Sequence, residues 1–112
     1  MQHIPTATKK SFQVLASTAS LQAATMVLKP GESTGDVHNE HPRAEQWLYV
    51  VSGTGRAATG KRRVPLKPNT LLLIEKREPH QITNTGRKPL VTLNFYAPPA
   101  YTQDGEVRPA VK

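Results

Sequence analysis

The chain has 112 residues, no cysteine, and a net charge of +7 from 15 Lys and Arg against 8 Asp and Glu. That length buries a core unaided, since it is chains below roughly 70 to 80 residues that need disulfide or metal staples; a metal would therefore serve function, and without thiolates it must be held by imidazole and oxygen ligands. The opening MQHIPTATKKSF has no apolar signal-like run and no stretch approaches the ~18 apolar residues of a membrane span, so a cytoplasmic protein without a membrane partner is expected.

Pro, Gly and Asn punctuate the chain every several residues, with short alternating or apolar segments between them. That rhythm predicts an all-β sandwich or barrel. Strands are expected over residues 12–17, 22–28, 46–52, 55–59, 63–66, 70–75, 80–84 and 90–96, and no window shows a helical period. Nine of the ten prolines fall outside these segments, several at strand borders, where a missing N–H costs least, and only Pro65 falls within one. Lys29-Pro30-Gly31 and Ser52-Gly53-Thr54-Gly55 read as turns. Two segments, 47–51 (WLYVV) and 71–74 (LLLI), are apolar on both faces, which implies cover on both sides. After Tyr96 the chain reads as extended to Tyr101. One domain spans 1–112, with its barrel core over about 12–101 and a tail at 102–112.

The positive charge raises the question of nucleic acid. Lys9-Lys10, Lys61-Arg62-Arg63, Lys76-Arg77 and Arg87-Lys88 are short clusters on separate expected turns, and the chain has only six aromatic residues. Neither a recognition helix nor a base-stacking platform is visible, so nucleic acid is not the expected partner. A small anionic ligand accounts for a basic surface more economically.

Histidines and amides gather in residues 31–55, GESTGDVHNEHPRAEQWLYVVSGTG, and a further His opens the segment His80-Gln81-Ile82-Thr83-Asn84. Taken singly these residues have plain readings. His38 and His41 suit a solvated loop, His80 a satisfied core histidine, and Asn84 a strand-end amide that ties backbone groups.

Taken together they resemble the cupin superfamily, small jelly-roll barrels (double-stranded β-helices) with two short motifs on facing strands. Pro30-Gly31 resembles the turn that opens the first motif, and Trp47-Leu48-Tyr49-Val50-Val51-Ser52-Gly53 its apolar strand and closing glycine. His80 and Asn84 match the second motif in spacing, and the likeness covers about Gln22 to Tyr101. The resemblance implies a divalent metal, of the Mn, Fe, Ni or Zn kind, held by three imidazoles and one carboxylate or amide. Carried over residue by residue, it implies His41, Gln46, His80 and Asn39, with Asn39 where the family usually has His and Gln46 where it usually has Glu.

A second register puts His38 in place of Asn39 and swings Glu45 in as a carboxylate. Strand alternation opposes Glu45, since Gln46, Leu48 and Val50 share one face and Glu45 goes with Trp47 and Tyr49. His80, Ile82 and Asn84 are expected to face the interior, and Leu48, Val50, Ile82 and Phe95 to line the pocket. The last strand offers two candidate sets, Leu93 with Phe95, or Thr92, Asn94 and Tyr96.

The resulting expectation is a small cupin that binds a divalent metal and a small oxygen-rich, anionic molecule, with chemistry of the lyase, isomerase or dioxygenase type open to it. A metal-free ligand-binding or interaction module is the alternative, and phosphate binding by the basic turns a third. Cupins of this size are commonly dimers, so a homodimer is expected, with Trp47 and Tyr49 packed against a second sheet or subunit.

Overall fold

A computed structural model describes residues 1–34, 43–103 and 105. Eight strands follow in chain order: β1 (Phe12–Ser17), β2 (Gln22–Leu28), β3 (Glu45–Ser52), β4 (Gly55–Thr59), β5 (Arg62–Leu66), β6 (Leu71–Ile74), β7 (Gln81–Asn84) and β8 (Leu90–Ala97). Each expected strand is present, with ends shifted by at most one residue. Among the described residues there is no helix, and so none long and apolar enough to cross a membrane.

The strands form two antiparallel sheets, one of five strands in the order β1-β2-β8-β3-β6 and one of three in the order β5-β4-β7. Residues 31–34 run on beside β7 as a short extra rung. Gly31 N donates to Asn84 O (3.0 Å), Asn84 N to Glu32 O (2.9 Å) and Thr34 N to Ile82 O (3.0 Å). The segment that carries Pro30-Gly31 is thereby fixed to the strand that follows His80.

Alternation decides what enters the core. On β8 the buried residues are Leu90, Thr92, Asn94 and Tyr96, and on β3 they are Gln46, Leu48 and Val50. Leu28, Leu48, Val50, Leu66, Ile82 and Leu90 form the centre of the main cluster between the sheets. Burying a side chain of this size contributes about 1.5–3 kcal/mol. A second cluster joins Ala24, Ala44, Tyr96 and Ala100, with Phe12 and Tyr101 packed against it.

The expectation that β3 and β6 are covered on both faces is not met within one chain: Trp47, Val51, Leu71 and Leu73 are exposed. Period-2 patterning marks a face as apolar but does not say what lies over it.

Gly53 closes the β3–β4 turn at φ 86°, and a Cβ there would collide with the Pro89 carbonyl oxygen. Both the left-handed backbone and the close approach of the next turn require glycine at this position.

Candidate functional site

β7 and β3 bring His80 and Gln46 to one cavity. It measures about 220 Å³ and is lined by Gln46, His80, Ile82, Thr34, Met26, Phe12, Tyr96, Tyr101 and Gly105. His80 lies just before β7 and, with Ile82 and Asn84, is buried, while Gln81 and Thr83 are half-buried. Its Nδ1 is 2.9 Å from Glu78 O. A carbonyl oxygen only accepts, so Nδ1 carries a hydrogen and donates it to Glu78 O.

Gln46 is oriented by a buried chain of polar side chains across β3 and β8. Thr92 Oγ1 donates to the Met26 carbonyl through a long bond of 3.4 Å, which leaves the hydroxyl oxygen to accept. Asn94 accordingly turns Nδ2 to Thr92 Oγ1 (2.9 Å) and Oδ1 to Gln46, whose Nε2 donates at 2.8 Å. Donation thus runs from Gln46 through Asn94 and Thr92 to a backbone carbonyl. The Gln46 nitrogen is committed to the sheet, and the side chain lines the cavity.

The opposite wall is aromatic. Tyr101 packs between Phe12 (ring centroids 4.8 Å apart) and Tyr96 (5.0 Å, edge to face). Burial pushes the Tyr96 phenol well above the ordinary tyrosine range, with further increments from the charge and hydrogen bond of Tyr101. Burial also raises Tyr101, partly offset by its hydrogen bond to Tyr96. The two rings therefore stay neutral. Tyr101 is held by Gln22, a buried amide whose Oε1 accepts from Ala100 N (3.1 Å) and Tyr101 N (3.0 Å) while Nε2 donates to Tyr101 O (2.8 Å) and Ser17 Oγ (2.9 Å).

Asn84 is structural. Nδ2 donates to Leu28 O (2.9 Å) and Lys88 O (2.8 Å), and Oδ1 accepts from Gly86 N (2.8 Å). It pins the end of β2 to the β7–β8 turn.

Several expected positions change. Phe95 does not line the pocket: it lies on the outer face of β8, in register with Trp47, and the inward set is Thr92, Asn94 and Tyr96. Leu48 and Val50 face inward but are sealed in the core and do not border the cavity. Glu45 is no substitute ligand, because its Oε2 accepts from Trp47 Nε1 (2.7 Å) on the face of β3 opposite Gln46. His38, Asn39 and His41 lie outside the described residues. Among the described residues no group of three or more His, Cys, Asp or Glu side chains comes together.

Sequence reading missed Phe12, Met26 and Tyr101 as lining residues. Phe12 and Met26 are register partners on β1 and β2 and were legible as alternating apolar positions. Tyr101 carried no local signal, because what holds it is Gln22, far away in the chain.

Three comparisons bear on this arrangement. The family model described as "Cupin domain" matches residues 24–96. BH2720 of Bacillus halodurans superposes with a TM-score of 0.82 at 27% identity, over 90% of this chain and 79% of that one. A predicted oxalate decarboxylase from Thermotoga maritima gives 0.70 at 26% identity, over 79% of each chain. KdgF from a Halomonas species gives 0.70 at 20% identity, over 79% of this chain and 77% of that one, a likeness of fold alone. Comparison with curated protein sequences gives no match.

Proposed function

The chain belongs to the cupin domain family, and from that premise we propose that it holds a divalent metal ion through His80 and Gln46, with His41 and Asn39 as further donors, and binds a small oxygen-rich molecule in the cavity. The observation that carries this reading is the paired orientation of two donors. Glu78 O accepts from His80 Nδ1 and Asn94 Oδ1 accepts from Gln46 Nε2, so each side chain is held in place by an outer partner. Both side chains line one cavity. Such outer partners are what metal-binding imidazoles and oxygen ligands need in order to hold their aim.

A neutral imidazole and a carbonyl oxygen suit Mn, Fe, Ni or Zn, and a bound ion would polarise an oxygen of the ligand. The protein's own part is to orient that ligand. Ile82, Met26 and the Phe12–Tyr101–Tyr96 wall exclude water from its apolar side, and the phenols stay uncharged beside it. An oxygen-rich ligand is also consistent with a solved relative described as a predicted oxalate decarboxylase.

Metal content measured after purification and after reconstitution tests the reading. The wild type should load near one equivalent and gain thermal stability, whereas His80→Ala and Gln46→Leu should lose both effects. A wild type that stays empty and unshifted with all four metals defeats it.

A metal-free ligand-binding module is the second reading, favoured by the aromatic wall, a stacking surface that needs no ion. It predicts that chelator treatment and His80→Ala leave affinity for a probe such as oxalate unchanged.

A further inference from the structure

The two sheets part where β5 ends one and β6 ends the other. A second cavity of about 220 Å³ opens there, and His80 lines both it and the first, so the two share a wall. The β4–β5 hairpin grades this space from core to solvent, because its register sets Gly55 opposite Leu66, Ala57 opposite Val64 and Thr59 opposite Arg62. The first pair is buried, Val64 is half-buried beside buried Ala57, and Arg62 is exposed at the mouth. Across the gap β6 presents half-buried Leu72 and buried Ile74. Interiors pack to crystal-like density, and a gap of this size forfeits contacts that a side chain larger than Ala57 would recover. Small residues at 57 and 58 keep the space open.

The lining carries both signs of charge, Arg62 and Glu78. Among the described residues Arg62 forms no ion pair, so its planar fork of donors is open to a carboxylate. Glu78 is steadied by its own turn, with Oε1 accepting from Glu75 N at 3.1 Å. We infer that this cavity binds a zwitterionic α-amino acid with a branched apolar side chain, the size of valine or leucine. Arg62 takes the carboxylate, Glu78 the ammonium, and Val64, Leu72 and Ile74 the hydrocarbon. A simple anion would be repelled by Glu78 and a simple cation by Arg62, whereas a ligand with both charges on neighbouring atoms satisfies the two. Size agrees: the cavity equals roughly seven waters of liquid volume, room for about eight or nine covalently joined non-hydrogen atoms. Neither Arg62 nor Glu78 is a proposed metal donor, so the inference does not rest on the metal reading.

The test is calorimetry and methyl NMR of the whole chain with leucine, in the presence of chelator throughout, so that the expected result is the same whether or not the metal reading holds. Leucine should bind with a Kd at or below about 1 mM. It should shift the methyl signals of Val64, Leu72 and Ile74 and leave that of Met26, which lines the other cavity, in place. Isocaproate, which lacks the ammonium, and isoamylamine, which lacks the carboxylate, should each bind about tenfold more weakly or worse. Arg62→Ala should erase the preference for leucine over isoamylamine, with Arg62→Gln in its place should the first unfold the chain. Glu78→Gln, which keeps an oxygen for Glu75 N, should let isocaproate bind at least as tightly as leucine. A wild type that ignores leucine at about ten times that concentration overturns the inference, as do shifts at Met26 in place of Val64, or folded variants at both positions that rank the three probes as the wild type does.

Discussion

Gln46 Nε2 donates to Asn94 Oδ1 at 2.8 Å, a bond between two buried amides on neighbouring strands. Asn94→Leu should remove that bond from the interior and lower unfolding free energy by about 1–3 kcal/mol. If the metal reading holds, affinity for the ion should also fall about 10- to 100-fold as the Gln46 oxygen loses its aim. Thr92→Val, one step further from the cavity, should act in the same direction and more weakly. Urea unfolding and metal-titration calorimetry on the same preparations separate the two effects.

Asn84→Ala removes three hydrogen bonds at a fully buried position, the one to the Leu28 carbonyl itself buried. A loss of about 2–4 kcal/mol is expected, at about 1 kcal/mol per bond with a further cost for unpaired groups. Because Asn84 touches none of the cavity donors, metal content measured below the unfolding transition should be unchanged. A fall in loading without a fall in stability would contradict the structural role.

Stability should depend on pH through Tyr96 and Tyr101, whose phenols are raised above the ordinary value by burial. Below the unfolded tyrosine pKa of 10.0 both states are protonated and the contribution is fully present. As pH climbs past that value the unfolded chain ionises first, and stability is lost until the folded phenols titrate as well. Tyr96→Phe should flatten the decline above about pH 10 relative to wild type. Denaturant midpoints at pH 9 to 11, with tyrosinate absorbance followed in parallel, would show it.

The fold was legible because turn chemistry and strand alternation act locally. Gly53 sits where φ is positive, and the eight strands begin and end within one residue of the bounds expected from the pattern of the sequence. The inward face of β8 was not legible. Its two alternating sets are Leu93 with Phe95 and Thr92 with Asn94 and Tyr96, and hydrophobicity alone sends the first inward. The second set is buried because Thr92, Asn94 and Gln46 satisfy one another, a bond pattern that joins residues 48 apart in sequence. The same limit applies to Trp47 and Leu73. Their period marks a shared face, but whether another sheet lies over it is a property of assembly and not of one strand.

The chain of donors from Gln46 to Met26 has a consequence for how such sites change over evolution. Every link is a side chain that can turn about its own bond, so the sequence of donors and acceptors can run in either direction. Exchanging Gln46 for glutamate, an acceptor at both oxygens, would require Asn94 to rotate its amide and Thr92 to swing its hydrogen from Met26 to Asn94. No strand would need to move. Amide and acid versions of this barrel are then neighbours separated by a single codon and two side-chain rotations, and a lineage could pass between a weakly and a strongly charged pocket without rebuilding its core.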